Sequence, residues 1–332
     1  MALDLRRLPK VELHLHLDCS LSYNLVSRLK PDVTRAIFES QYIAPARCTN
    51  LADFLQCPPR SVALMQSEEA LCLAVDDLFA QLAEDNLIYV EVRFAPLLHL
   101  DQGLKAEQVV EVVDSALDAA SRRTGIHAGL ILCTLRHYNT MQSMETAKLV
   151  EKFRGRRVVA LDIAGDEAGY PLDAHLPAFA YAVEKHLGRI AHAGEASGPE
   201  SVWKTLKHLQ PSRIGHGIRS LEDPKLVEHL RHTGIHLEVC PTSNIQTNMY
   251  EAYEQHPIKD LPDSGLSFNV NTDARTVCNV TLTEEYERLH AAFGWGKDQF
   301  EQANLYALRA SFAGEKLKDE LAARLSAAYG DL

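Results

Sequence analysis

The sequence predicts an α/β fold, a parallel (β/α)8 TIM barrel, from three observations. Eight short apolar or alternating runs each end in polar residues, and amphipathic stretches of helical period fall between them. Neither a Pro/Gly/Ser-rich linker nor a sequence repeat divides the chain, so 1–332 reads as a single domain. An open doubly wound sheet is the competing layout.

The expected strands cover 11–17, 89–94, 127–135 and 158–165 in the first half, then 189–194, 213–217, 236–240 and 266–273. Apolar spacings of three and four predict helices over 73–87, 106–120, 176–187, 202–209 and 226–230. Asp223 before Pro224 reads as an N-cap with proline at the first helical position, and Ser197-Gly198-Pro199-Glu200 has a similar start signal. Residues 20–59 interrupt the alternation with mixed helical and loop character, the pattern of an insertion that lies over a site as a lid. After the eighth strand, 282–289 and 300–327 are expected to be extra helices closing the wall.

Composition narrows the function classes. With 332 residues, 46% of them hydrophobic, the chain is long enough to bury a large core, which excludes disorder and small disulfide scaffolds. A formal charge of -11, with no local run of Lys and Arg, argues against nucleic acid or membrane partners. No apolar region follows Arg6 and Arg7, and no stretch of about eighteen apolar residues occurs, so a soluble cytoplasmic protein is expected. Seven scattered cysteines without a Cys-x-x-Cys pair imply reduced thiols and no thiolate metal knuckle.

The chemistry gathers at strand ends. In 11–17, His14 and His16 alternate onto one face while Leu13, Leu15 and Leu17 take the other, so two imidazoles converge where the first strand ends. In the eighth strand, Phe268 and Val270 alternate with Asn269, Asn271 and Asp273, which puts the Asp273 carboxylate at the C-terminal end. A closed barrel makes the first and eighth strands neighbours and sets that carboxylate beside the histidine pair. His192 and His216 close the fifth and sixth strands, with glycines leaving room for close backbone approach. Three histidines and one carboxylate would hold a divalent ion with a position open to water, which favours hydrolysis, with Glu195 and His216 moving protons. Gly294-Trp295-Gly296-Lys297 lacks the spacing and the hydroxyl residue of a phosphate loop, and no Gly-x-Gly-x-x-Gly follows a strand. Cys240-Pro241 is not followed by the second cysteine that base-flipping zinc deaminases use.

The segments 8–18, 89–96, 161–167, 192–195, 213–217, 240–244 and 271–273, in that order, resemble the adenosine deaminase family of zinc-dependent barrel enzymes over nearly the whole length. The resemblance implies that His14, His16, His192 and Asp273 hold one zinc ion per chain, with Asp273 also counted in the catalytic group. Glu195 would protonate purine N1 as hydroxide attacks C6, and His216 would orient or deprotonate the water. Ammonia would leave adenosine or 2'-deoxyadenosine, giving inosine or its deoxy counterpart. For substrate contacts the resemblance implies Asp18 on the ribose, the Gly165 N–H on a ring nitrogen, Leu51 and Phe54 over the purine, and His16 beside it. The partner is then a small purine nucleoside.

This chain departs from the family pattern where Ala274 follows Asp273, since a second acidic residue usually grips the imidazole side of the purine there. Asn271, Arg275 or water are the candidate replacements. Cys19 stands where glycine is usual, and the segment between the first strand and Phe54 is short for the family. Other 6-aminopurine compounds (aminodeoxyfutalosine, an N6-modified adenosine, adenine) and another metal-dependent amidohydrolase reaction stay open as alternatives.

Overall fold

The computed structural model describes residues 4–330. Eight strands run in chain order: β1 Lys10–His16, β2 Leu87–Phe94, β3 His127–Leu135, β4 Val158–Ala164, β5 Gly188–Ala193, β6 Arg213–His216, β7 His236–Val239 and β8 Phe268–Val270. Each pairs in parallel with the next. The seam between β8 and β1 closes through the residues just after β8: His16 N donates to Asp273 O at 2.8 Å and Asp273 N to His14 O at 3.1 Å. That closure makes a (β/α)8 barrel and removes the doubly wound alternative.

The eighth strand is shorter than the alternation of Asn269, Asn271 and Asp273 suggests. Asn271 Oδ1 accepts from the backbone N–H of both Leu13 and His14, at 2.9 and 3.0 Å, so a side chain replaces the ladder there. Two residues then leave strand geometry with positive φ, Asp273 at 63° and His216 at 58°. Left-handed backbone at residues other than glycine is uncommon and costs about 1 kcal/mol or more, so these two strand ends are held there by their surroundings.

Helices fill the connections. The expected 73–87 helix runs instead from Glu68 to Glu84, capped by Ser67 Oγ accepting from Ala70 N, and Leu87 already belongs to β2. The expected 300–327 helix is two, Lys297–Ala310 and Glu315–Gly330. Thr140–Lys152 was not anticipated because its buried face is built largely from Ser143, Thr146 and Ala147; the Asn139/Gln142 capping box was the available signal. Asp223 caps Pro224–Thr233 as expected, accepting from Lys225 N at 2.9 Å, while Gly198 takes the N-cap position of Pro199–Leu209. The insertion after β1 folds into Tyr23–Leu29, Arg35–Gln41, Leu51–Phe54 and Pro58–Val62. Leu51 and Phe54 pack with Cys19, Ala274, Val277 and Cys278 in an apolar cluster separate from the main core.

Leu13, Leu15, Val90, Val92, Leu130 and Leu161 belong to the main core, which also takes in residues of the surrounding helices such as Leu78 and Phe179. Inside the barrel, the strands carry a chain of buried charges. Glu91 Oε2 and Glu238 Oε1 accept from Arg213, at 2.5 and 2.7 Å. Arg93 then bridges Glu238 and Asp162, at 2.6 Å each, and donates to Leu13 O at 2.7 Å. All five side chains are fully buried. Ions out of water are tolerable only when each is paired, so removing one member leaves the others exposed to the full desolvation cost. Glu238→Ala should lower the unfolding free energy in urea by about 3–5 kcal/mol. Arg123→Gln, which breaks an exposed pair with Asp76, should cost less than about 1 kcal/mol. Equal losses in the two variants would contradict this view of the barrel interior.

Candidate active site

At the C-terminal mouth of the barrel, β1, β5 and β6 deliver four imidazoles into one cluster. Ring centroids lie 4.5 Å apart for His14 and His192, 4.8 Å for His14 and His216, and 5.4 Å for His14 and His16. Gly215 makes that approach possible, because a Cβ there would fall 2.9 Å from His14 Cε1 and 3.1 Å from His192 Cγ.

The barrel charges orient two of these rings. His14 Nδ1 meets Glu238 Oε2 at 2.9 Å, and His192 Nδ1 meets Asp162 Oδ1 at 3.2 Å. A carboxylate on Nδ1 holds the proton there and leaves Nε2 as a lone pair, the arrangement that carboxylate–histidine–metal triads use. The free nitrogens then converge: His16 Nε2 is 3.3 Å from His192 Nε2, and Asp273 Oδ1 is 3.3 Å from His14 Nε2 and 3.4 Å from His16 Nε2. His14 Nε2 is buried without a hydrogen-bond partner. Burial holds His16 and His192 below the usual histidine range, so both are neutral ligand forms. Burial alone would raise Asp273, but the surrounding imidazoles hold it well below the carboxylate range. Three imidazole nitrogens and a carboxylate oxygen packed this closely repel one another unless a positive charge sits among them, and despite burial and Arg93 the Asp273 and Glu238 carboxylates raise the His14 pKa. The donor set fits a divalent metal. Cys240 also lies near His14 and His216, and burial pushes its thiol well up.

Beside this cluster, Glu195 Oε1 lies 3.5 Å from His216 Nε2. Burial first, then the carboxylates of Asp273 and Glu167, raise the Glu195 pKa well above the usual range, the direction that favours its acid form. Its position is set by Glu167, whose carboxylate accepts from the N–H groups of Gly194, Glu195, Ala196 and Ser197 at 2.7 to 3.0 Å, and from Ser201 Oγ at 2.6 Å. Gly194 opens that turn at φ 67°, where a Cβ would lie 2.7 Å from Val202 Cγ2.

These groups open into a cavity of about 470 Å³ whose walls include His16, His192, Glu195, His216 and Asp273, together with Asp18, Gly165, Leu51 and Phe54. His14 lies beneath it, fully buried. The residues assigned metal, proton-transfer or direct substrate roles from sequence therefore all lie in the wall or, for His14, directly under it. Asp18 accepts two long bonds, from Ala95 N at 3.3 Å and Cys19 Sγ at 3.7 Å, and burial pushes its carboxyl up to about 6. Gly165 turns at φ 97°, a conformation that L side chains rarely adopt.

Two of the candidate replacements for the missing acid face elsewhere. Arg275 turns into the protein onto Glu12 and Asp85, at 3.1 and 2.8 Å, and Asn271 is committed to the β1 backbone. Ala274 leaves that wall apolar. Sequence reasoning missed Asp162, Glu238, Glu167 and Asn244. Alternation along β4 and β7 could have turned Asp162 and Glu238 inward, but nothing in the pattern tells which histidine each would meet.

A protein-family model described as "Adenosine deaminase" matches residues 9–328. The adenosine deaminase of Clostridium acetobutylicum is 34% identical over 325 residues, covering 96% of this chain and 97% of its own. Adenosine deaminase 1 of Streptomyces coelicolor is also 34% identical, covering 93% and 83%. Among solved structures, the adenine deaminase of Arthrobacter aurescens superposes with a TM-score of 0.89 at 25% identity, over 96% of this chain and 98% of that one. The N6-mAMP deaminase of Arabidopsis superposes with a TM-score of 0.86 at 25% identity, over 97% and 99%. The full-length family match and relatives at one-third identity agree with the barrel and its histidine cluster: this chain belongs to the adenosine deaminase family, hydrolases that act on C–N bonds.

Proposed function

We propose that this chain hydrolytically deaminates adenosine and 2'-deoxyadenosine, with one zinc ion held by His14, His16, His192 and Asp273. The observation that carries the reading is the convergence of those nitrogens and the Asp273 oxygen at 3.3 to 3.4 Å, one histidine away from Glu195 in the same cavity. When bound, zinc supplies Lewis acidity, lowering the pKa of a water toward neutrality. Glu195 donates its proton to purine N1, which makes C6 electrophilic toward water; of the two water protons one passes to the exocyclic amine, which leaves as ammonia, and the other restores Glu195. His216 holds the attacking oxygen in line. Asp18 accepts from a ribose hydroxyl, the Gly165 N–H donates to a ring nitrogen, and Leu51 and Phe54 cover the purine and exclude water.

The cavity also bears on which 6-aminopurine enters. Among the described residues its walls carry Asp18, Asp101 and Asp166 but neither Lys nor Arg, so a 5'-phosphate would meet like charge. This supports an uncharged nucleoside over a nucleotide, and the weakly satisfied Asp18 supports a sugar-bearing substrate over the free base. A second reading, another 6-aminopurine compound, is favoured by the apolar wall at Ala274, which leaves the imidazole edge of the purine without an acid to grip it. Seven free thiols suit a reducing cytoplasm, and no helix among the described residues is long and apolar enough to cross a membrane.

Purified protein mixed with adenosine should shift the ultraviolet spectrum to that of inosine, with kcat/KM for AMP lower by a factor of about 100 or more. Silence with adenosine and deoxyadenosine would reject the assignment, and turnover of adenine, aminodeoxyfutalosine or an N6-modified adenosine instead would move it to that compound. Glu195→Gln should keep about one zinc per chain by elemental analysis while kcat falls by a factor of about 100 to 10,000. Because the Glu195 pKa is raised, the acid form extends above the usual carboxylate range and is lost as pH climbs. Wild-type kcat/KM should therefore decline on the alkaline side, and a decline only toward acid would contradict the donor role.

A further inference from the structure

The family resemblance gives His216 two roles, orienting the attacking water or deprotonating it. Which one is open to it depends on where its single proton sits. Behind His216, away from the cavity, runs a chain of hydrogen bonds whose direction is fixed at its far end by the backbone. Ile258 N–H donates to His256 Nδ1 at 3.2 Å. A backbone amide can only donate, so His256 Nδ1 is a lone pair.

Burial pushes the His256 pKa down to about 3, so the ring is neutral and its proton is on Nε2. That proton goes to Asn244 Oδ1, 3.2 Å away. The orientation of the Asn244 amide, ordinarily a matter of assignment, follows from this partner, and its NH2 end faces His216 Nδ1 at 3.2 Å. An amide NH2 donates and does not accept, so His216 Nδ1 is also a lone pair.

We propose that Asn244 and His256, which stand outside the cavity wall, are positioning residues that fix the proton of His216 on Nε2. There it serves as a hydrogen-bond donor toward the reacting oxygen and not as the base that takes its proton. This deepens the proposed function, on which the meaning of His216 Nε2 rests. Nε2 faces Glu195 Oε1 at 3.5 Å and is already protonated, so it has no lone pair to offer the attacking water. Reversing the tautomer would require turning the Asn244 amide, which would set its NH2 against the His256 Nε2–H. Nor is Asn244 free to drift. Its backbone N–H donates to Cys240 O at 3.0 Å and its carbonyl accepts from Met249 N at 3.0 Å. Tyr250 packs edge-on against His256 with centroids 4.8 Å apart.

The test reads the tautomer directly. In full-length, zinc-loaded protein with nitrogen-15 histidine, a long-range proton–nitrogen correlation should show His216, assigned by its loss in His216→Gln, with Nε2 protonated and Nδ1 bare. Asn244→Asp offers only acceptors to both rings and should move the proton to Nδ1. It should lower kcat by a factor of about 10 to 100 and leave KM within a factor of about three, because the lost interaction belongs to the transition state. His256→Gln can still donate to Asn244 Oδ1 and should keep the wild-type tautomer and most of kcat, whereas His256→Leu should lose both. A wild-type His216 protonated on Nδ1, or an Asn244→Asp protein with tautomer and kcat unchanged, would overturn the proposal. If Asn244→Asp does not fold, the wild-type spectrum and the two His256 variants decide it. If no purine is turned over, the deaminase reading fails, and the same spectra still decide the tautomer.

Discussion

The interaction on which the rest of this structure depends is the buried ion chain of Glu91, Arg213, Glu238, Arg93 and Asp162. Most barrels of this class fill their interior with branched aliphatic side chains. Here the interior carries charged side chains beside a small apolar cluster of Ile131, Ala160 and Ile190, and the charges are paired by bonds of 2.5 to 2.7 Å. Three carboxylates against two guanidiniums leave an excess negative charge, and two of those carboxylates end on the Nδ1 atoms of His14 and His192. The same chain therefore ties strands together, aims two imidazoles, and biases the mouth electrostatically toward a cation.

Strain appears where this arrangement meets the backbone. His216 and Asp273 both take positive φ at the ends of their strands. Aspartate and histidine both tolerate that conformation better than most side chains, though neither as freely as glycine. In both cases the turn re-aims a functional side chain across the mouth instead of along the strand, a use of backbone energy that a longer strand would not permit.

The barrel was legible because its strands alternate with amphipathic helices, and because turn chemistry such as Asp223-Pro224 marks the boundaries. The histidine cluster was legible because period-two alternation and strand adjacency are consequences of closure: His14, His16 and Asp273 had to meet once β1 and β8 were neighbours. What escaped was everything that depends on side-chain reach. Arg275 was a candidate to replace the absent acid, yet it turns inward to Glu12 and Asp85, a direction that follows from packing and not from spacing. Glu167 stands two residues beyond a predicted strand, and nothing local announces that it will collect four amide protons from a loop almost thirty residues downstream. The Thr140–Lys152 helix was missed because small polar residues line its inner side and blur the periodicity.

The roof of the cavity is a separate packing unit. Leu51 and Phe54 share an apolar cluster with Cys19, Ala274, Val277 and Cys278 that does not merge with the main core. On the proposed function, cap residues that touch the purine can thus change without disturbing the ions and rings at the mouth below. Selectivity in such a molecule is modular, free to diverge by a handful of substitutions in the cap, while the reaction itself stays locked to the staves below.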